Sequence, residues 1–171
     1  MTSGYDQHVS GARQIAARCA VLTLSDTRTA DTDKSGRRIR ELLEADGHAV
    51  THYRILRDDP EPLAAELRSL LSRPDVDVVL TNGGTGVSRR DQTIGVIERL
   101  LDLPLPGFGE LFRMLSWEQI GSGAMLSRAA GGVARGKLLF ATPGSTAAVE
   151  LAMTKLILPE IRHLLAELRK H

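Results

Sequence analysis

Residues 75–91 read DVDVVLTNGGTGVSRRD, and the rest of the chain is organised around this stretch. Its first part, residues 76–80, is apolar and β-branched, which is typical of a strand buried on both faces. Three glycines follow within four positions, and glycine permits positive φ and close approach of backbone N–H groups to a ligand. A helical pattern of apolar residues begins at Thr93. The stretch therefore predicts either the anion site of an open α/β sheet or a tight turn with a solvated charged edge.

The composition indicates a single domain with a local binding site. The chain has 171 residues, which fits one domain, and we assign residues 18–171 to it and residues 1–17 to a mobile N-terminal arm. The 22 basic and 21 acidic residues give a net charge of +1, which argues against a nucleic-acid or membrane surface. Cys19 is the only cysteine, so no intrachain disulfide forms, which is compatible with the cytoplasm.

Strand-like and helix-like segments alternate along the chain. Buried strands are predicted at residues 19–24 and 137–142, and an outer strand of mixed polarity at residues 49–56. This alternation predicts an α/β fold, a three-layer αβα sandwich with a mainly parallel central sheet. Because parallel strands end at one edge of such a sheet, the loops at residues 25–27, 83–91 and 143–146 should converge there.

Two neighbouring aspartates follow the outer strand. Asp59 fits a helix cap, because Pro60 would occupy the first helical position. Asp58 lies at the end of a strand, and either a turn role or a functional role fits it. His48, which follows the helix stop at Gly47, is interpreted as a surface residue, since no second metal-ligand candidate lies near it.

Further secondary-structure elements are predicted in the second half of the chain. We predict a helix over residues 108–117, a loop over residues 116–123 and a short apolar segment that ends at Gly131 and Gly132. Pro159 should kink or divide the terminal helix.

Several common sites are excluded by spacing. The glycines are not followed by the lysine and Ser/Thr of a P-loop, and they lack the G-x-G-x-x-G pattern of dinucleotide-binding folds. No cysteine and histidine cluster has zinc spacing, and no G-x-S-x-G sequence of a nucleophile elbow occurs.

Five motifs in order along residues 18–168 resemble the molybdenum cofactor biosynthesis proteins of the MoaB/Mog type, whose domain also occurs in gephyrin. The motifs are LTLSDT at 22–27 with SG at 35–36, TNGGTG at 81–86 with RD at 90–91, GFGELFRMLS at 107–116, MLSRA at 125–129 and PGS at 143–145. The stretch 107–120 and the PGST ending at 143–146 are most similar to the B-type members.

The resemblance implies a molybdopterin adenylyltransferase. The terminal phosphate of molybdopterin would attack the α-phosphorus of Mg-ATP and release pyrophosphate, and the adenylylated pterin would receive molybdate in a later step. A phosphate monoester is already anionic near neutral pH, so positioning and charge neutralisation should carry most of the rate. The alternative is a non-catalytic protein of the same pathway that binds or carries molybdopterin.

The resemblance also implies roles for individual residues. Asp58 and Asp91 would be the catalytic residues: Asp58 would act with Mg²⁺ as its metal, and Asp91 would orient the pterin or the metal. The residues implied in binding substrate or nucleotide are Ser25, Asp26, Thr81, Gly83, Gly84, Thr85, Gly86, Arg90, Ser116, Ser127, Pro143, Gly144 and Ser145. For Ser127 and Arg128, a helix cap and a surface cation fit equally well.

Partners and location follow from the same resemblance and from composition. The ligands would be ATP, Mg²⁺ and molybdopterin, and the assembly a homotrimer or a homohexamer, with other proteins of the pathway as possible partners. Neither nucleic acid nor a membrane is expected, and no segment approaches the ~20 apolar residues of a membrane span. A cytoplasmic location is expected.

Overall fold

The computed structural model describes residues 15–88 and 91–170. Within these ranges the chain forms the strands β1 (Arg18–Leu24), β2 (Ala49–Leu56), β3 (Val78–Asn82), β4 (Leu103–Pro104), β5 (Ala130–Ala134) and β6 (Lys137–Thr142). The α-helices are α1 (Lys34–Ala45), α2 (Pro60–Ser72), α3 (Thr93–Leu100), α4 (Pro106–Ile120), α5 (Thr146–Ala152) and α6 (Leu158–Leu168). A 3₁₀ helix, Gly121–Leu126, follows α4, and a π-helical segment, Met153–Ile157, joins α5 to α6.

The strands form one sheet in the order β2-β1-β3-β6-β5-β4. The four strands β2, β1, β3 and β6 are parallel, whereas β5 pairs antiparallel with both β6 and β4. The predicted α/β fold with a mainly parallel sheet is confirmed, and β2 is an outer strand as expected. The carboxyl ends of β1, β3 and β6 are adjacent, which brings their following loops together.

Both faces of the sheet are covered by helices. Along β1, Cys19 and Val21 pack into a cluster with α1, α4, α5 and α6, while Ala20 and Leu22 pack into a second cluster with α2 and α3. This alternation follows from the two-residue period of a strand. The three-layer sandwich predicted from the sequence is therefore the architecture of the described chain.

The region after α4 differs from expectation. The predicted helix at residues 108–117 is present, but α4 runs on to Ile120 and the 3₁₀ helix follows, where a loop from Ser116 was expected. The Ser116 hydroxyl donates to Phe112 O at 2.7 Å, so it is satisfied inside the helix and does not end it. The helix ends at Gly121, whose φ is 56°.

Gly131 and Gly132 lie inside β5 and do not end a segment, which corrects our interpretation. A Cβ on Gly131 would come within 2.4 Å of Phe140 Cδ1, and one on Gly132 within 2.3 Å of Leu103 O. Glycine is therefore required here for close packing against neighbouring strands. At the other end of the chain, the prediction for Pro159 is confirmed, because the terminal helix is divided just before it.

The start of the domain is packed earlier than predicted. Residues 1–14 of the predicted arm lie outside the described residues, but Ala17 is fully buried and donates its N–H to His48 Nδ1 at 3.0 Å. His48 is only 4% exposed, so our interpretation of it as a surface residue is wrong. None of the helices in residues 15–88 and 91–170 is long and apolar enough to cross a bilayer.

Candidate functional site

A cleft of about 450 Å³ lies at the carboxyl ends of β1, β3 and β6. It is formed mainly by the three loops that the sequence predicted would converge, with two residues from the segment after α4. Its lining residues are Leu24, Ser25, Thr27, Arg28, Gly83, Gly84, Thr85, Gly86, Asp91, Leu126, Ser127, Pro143 and Gly144.

The glycine loop, residues 83–86, has a backbone that other residues would not adopt easily. Gly83 and Gly84 have φ angles of 97° and 62°, in the left-handed region that favours glycine. A Cβ on Gly83 would also lie 2.3 Å from Leu24 O. The Gly83 N–H donates to Thr142 O at 3.1 Å, so the loop is joined to β6 at its start.

Arg128 holds the glycine loop from outside the cleft. Its guanidinium donates to the carbonyl oxygens of Thr85 at 2.9 Å and Asp91 at 2.7 Å, and also to that of Gly86. Arg128 is half-buried and joins the two ends of one loop, so it is not a solvated surface cation. The carboxylate of Asp91 accepts the Ser88 N–H at 2.9 Å and completes the turn.

Asp58 and Asp91 lie beside this loop, and Asp26 lies next to Asp58. The Asp58 N–H donates to Asp26 Oδ1 at 3.3 Å, and the Arg57 guanidinium lies 3.6 Å from the same oxygen. Burial raises the pKa of Asp58, and the charges of Asp91 and Asp26 raise it further. Hydrogen bonds from Ser88, above all, lower the pKa of Asp91. The two carboxyls that the resemblance singled out thus differ in how readily they ionise.

A buried polar network supports the floor of the cleft. Asp33 is fully buried and accepts hydrogen bonds from Thr23 Oγ1 at 2.6 Å, Tyr53 Oη at 2.7 Å and the Gly36 N–H at 3.0 Å. Burial opposes its ionisation, but these hydrogen bonds together with one from Ser35 outweigh burial and lower the pKa of Asp33. The carboxylate therefore fixes the start of α1 beneath the cleft.

Arg28 connects two of the three loops and was missed from the sequence. Its guanidinium donates to Gly144 O at 2.8 Å and to Ser35 Oγ at 2.5 Å. Ser35 Oγ in turn lies 2.8 Å from Asn82 Oδ1. The only signal in the sequence was an arginine just after a strand end, which by itself does not distinguish a loop contact from a solvated charge.

The remaining predicted site residues do not all reach the cleft. Thr81 is buried inside β3, where its hydroxyl donates to Phe140 O at 3.3 Å, and Ser116 is buried against its own helix. Neither lines the cleft, because each side chain points into the packed layers. Ser145 caps α5 by accepting the Ala148 N–H at 3.1 Å. Arg90 lies outside the described residues.

Few protein groups are arranged to hold a metal ion. Within residues 15–88 and 91–170 no three His, Cys, Asp or Glu side chains are grouped as a metal site. Asp58 and Asp91 nevertheless both approach the glycine loop, since a Cβ on Gly84 would lie 2.4 Å from Asp58 Oδ1 and one on Gly86 would lie 2.7 Å from Asp91 Oδ2. Mg²⁺ commonly takes only one or two carboxylates and completes its shell with water and substrate phosphates.

The sequence matches a known domain family over most of its length. The family is described as "Probable molybdopterin binding domain", and the match spans residues 20–163. The chain is 53% identical over 154 residues to molybdenum cofactor biosynthesis protein B of Halalkalibacterium halodurans, covering 90% of this chain and 91% of that protein. It is 48% identical over 170 residues to the protein of the same name from Staphylococcus aureus, covering 98% and 99%.

Solved structures show the same fold. A crystal structure of a molybdenum cofactor biosynthesis protein B superimposes with a TM-score of 0.90 at 53% identity, covering 92% of this chain and 98% of the other. The tungsten cofactor synthesizing protein MoaB from Pyrococcus furiosus superimposes with a TM-score of 0.79 at 38% identity, covering 91% and 98%.

Proposed function

This chain belongs to the molybdopterin-binding domain family that contains molybdenum cofactor biosynthesis protein B, and from that premise we propose that it is a molybdopterin adenylyltransferase. It transfers the adenylyl group of ATP to the terminal phosphate of molybdopterin and releases pyrophosphate. The observation that supports this most is the placement of Asp58 and Asp91 beside a glycine loop at the open edge of the sheet, where Asp91 also lines the cleft.

The cleft offers the groups that phosphates need. Gly83 and Gly84 hold the loop in left-handed backbone conformations, and a loop of this kind can direct backbone N–H groups at a phosphate. Arg128 occupies the carbonyl oxygens of Thr85 and Gly86, which keeps those acceptors away from an anionic ligand. The loop is thereby fixed before the ligand arrives, which reduces the ordering cost of binding.

The aspartates are assigned the role of neutralising charge on the transferring phosphoryl group, through a bound metal ion. A phosphate oxygen of molybdopterin forms the new bond to the α-phosphorus while the bond to the β-phosphate oxygen breaks, and pyrophosphate leaves with that electron pair. No strong base is needed, since the attacking phosphate is already anionic. Asp58 and Asp91 are the residues that would hold Mg²⁺, which when bound would neutralise charge on the transferring phosphoryl group.

A second candidate is a protein that binds molybdopterin without catalysis. It is favoured by the small number of grouped ligating side chains within the described part of the chain. Such a carrier would use the same cleft and the same glycine loop. The two candidates therefore differ in turnover and not in where the pterin binds.

The test is an assay of purified protein with molybdopterin and ATP carrying a label on the α-phosphate. The enzyme should release pyrophosphate and move the label onto the pterin, and both should require Mg²⁺ and molybdopterin. Omitting molybdopterin controls for simple ATP hydrolysis. Tight molybdopterin binding with no label transfer would refute the enzyme and favour the carrier.

A further inference from the structure

Two side-chain oxygens from distant parts of the chain converge beside Gly84. A Cβ on this residue would lie 2.2 Å from Thr93 Oγ1 and 2.4 Å from Asp58 Oδ1. Both oxygens therefore face the same small volume, which is open only because residue 84 is glycine. Thr93 begins α3, and Asp58 follows β2, so the fold brings these two residues together across the glycine loop.

The Thr93 hydroxyl has no hydrogen-bond partner among the described residues, although Thr93 is only 1% exposed. Buried hydroxyl groups are almost always paired, and an exception in a native fold calls for a reason. The Thr93 N–H donates to Gly84 O at 3.2 Å, so the backbone is anchored and only the side chain can turn. The hydroxyl is thus buried beside the glycine loop, with its donor unused among the described residues.

Asp58 is the acceptor that fits this donor. An ionised carboxylate has only acceptor capacity. Among the described residues, burial and the charges of Asp91 and Asp26 oppose the ionisation of Asp58, while the Arg57 guanidinium lies near Asp26 and Arg128 donates to backbone carbonyls. A hydroxyl donor directed at Oδ1 would therefore stabilise the ionised carboxylate.

We propose that Thr93 is a positioning residue for Asp58, whose Oδ1 accepts a hydrogen bond from the Thr93 hydroxyl. Because both oxygens already face one volume, a small rotation of either side chain would bring them within hydrogen-bond distance. The bond fixes the carboxylate beside the glycine loop and favours its ionised form. The inference rests on the proposed catalytic role of Asp58, and it adds a residue that the sequence motifs did not single out.

The test compares two substitutions of Thr93 with a control. Thr93→Val keeps the shape and removes the hydroxyl, while Thr93→Ser keeps the hydroxyl. Thr154→Val is the matched control, because its hydroxyl donates to Glu150 O at 2.7 Å in its own helix, away from the cleft. The first readout is the pKa of Asp58, measured by NMR on protein with ¹³C-labelled aspartate carboxyls and assigned with Asp58→Asn.

Thr93→Val should raise the measured pKa of Asp58, because the ionised form loses a donor, while Thr93→Ser and Thr154→Val should leave it at the wild-type value. In the adenylyl-transfer assay, Thr93→Val should lower kcat by about tenfold with KM nearly unchanged, and Thr93→Ser should restore most of it. The acidic limb of the kcat profile should also move to higher pH in Thr93→Val.

An unchanged Asp58 pKa in Thr93→Val would overturn the proposal. The NMR readout needs no turnover, so it decides the hydrogen bond even if wild-type protein fails the adenylyl-transfer assay. That second failure would refute the proposed function alone. If Thr93→Val does not fold, Thr93→Ala takes its place, and a pKa equal to that of Thr93→Ser would again overturn the proposal.

Discussion

Asp58 and Asp59 are adjacent carboxylates with different surroundings. Asp58 is half-buried and lies against Gly84, whereas Asp59 is exposed and accepts the Glu61 N–H at 3.1 Å as the cap of α2. The predicted cap with Pro60 after it is confirmed. The same substitution at the two positions therefore separates a functional role from a structural one.

Asp58→Asn should lower the adenylylation rate by roughly a hundredfold or more, because it removes charge at the site where the phosphoryl group is transferred. Molybdopterin affinity should change by less than about tenfold, since the shape of the side chain is kept. Turnover and binding measured on one preparation check both statements. A normal rate in Asp58→Asn would show that the catalytic assignment is wrong.

Asp59→Asn is the matched control for that experiment. Asparagine caps helices about as well as aspartate, so the free energy of unfolding should fall by ~1 kcal/mol or less. Turnover should stay within about twofold of wild type, because substitutions of exposed residues usually change free energies by no more than ~0.5 kcal/mol. A loss of rate equal to that of Asp58→Asn would mean that general disturbance of this loop, and not charge on Asp58, explains both results.

His48 should make stability depend on pH. Burial lowers its pKa, and Arg162 lowers it further against the opposing effect of Asp46. The neutral ring suits its contacts, because Nδ1 accepts the Ala17 N–H, while Nε2 lies 3.1 Å from Asp46 Oδ2. Arg162 occupies the same Asp46 carboxylate.

The direction in which stability changes with pH follows from proton binding. Below the unfolded-state pKa of about 6.5 the unfolded chain takes up the proton that folded His48 resists, so stability falls as pH falls through 6.5. The slope for one proton is at most about 1.4 kcal/mol per pH unit. Urea unfolding at pH 7.5, 6.5 and 5.5 should show this fall in wild type and less of it in His48→Gln. Parallel curves for the two proteins would contradict the assignment.

At the scale of elements, the glycine loop should be intolerant of a single methyl group. Gly84→Ala places a Cβ against Thr93 Oγ1 and Asp58 Oδ1 at a φ of 62°. The loop must shift, so affinity for ATP and molybdopterin should fall by about tenfold or more, with a stability loss of ~1 kcal/mol or more. Isothermal titration and far-ultraviolet circular dichroism check binding and fold together.

Gly95→Ala is the control for that substitution. Gly95 lies within α3, where a Cβ meets only the flexible end of Arg99 at 3.6 Å. Alanine is favoured over glycine in a helix by about 1 kcal/mol, so this variant should be at least as stable as wild type and bind normally. If both variants lost affinity equally, the ligand would bind at a site other than the glycine loop.

The strands and the glycine loop were predictable because their signals are local. Apolar runs marked β1, β3 and β6, and three glycines marked the turn, so the edge that carries the cleft followed from alternation. The two arginines that hold this edge could not be assigned in the same way. Arg28 contacts Gly144 and Arg128 contacts Thr85, partners far along the chain that only the folded structure brings near.

Other differences have equally specific causes. Ser116 suggested a helix end, but its hydroxyl is satisfied by the carbonyl one turn earlier, so α4 continues. Gly131 and Gly132 suggested a stop, but they are required by the close approach of Phe140 and Leu103. In each case the residue type was interpreted by its local preference, whereas a contact elsewhere in the fold decided its conformation.

At the scale of the whole molecule, α4 and the 3₁₀ helix after it leave large apolar side chains uncovered. We call this surface the α4 patch; its exposed members are Leu111, Met114, Trp117, Ile120, Met125 and Leu126. Trp117 is 62% exposed and Met125 is 79% exposed in the single chain. An exposed cluster of this kind typically marks a contact with another protein. We propose that a second copy of the chain covers it in a homotrimer, alone or stacked into a hexamer.

Light scattering at micromolar concentration should therefore give at least three times the 18.6 kDa mass of one chain. Trp117 is the only tryptophan, so its fluorescence reports on the α4 patch directly. Emission should be blue-shifted in the assembled protein and should move to longer wavelength on dilution or in the patch variant Met114→Glu, which places a charge in the contact. Ala45→Glu adds the same charge at an exposed position of α1 and should leave mass and emission unchanged. A monomer with solvent-like emission at every concentration would show that no copy of the chain covers this surface.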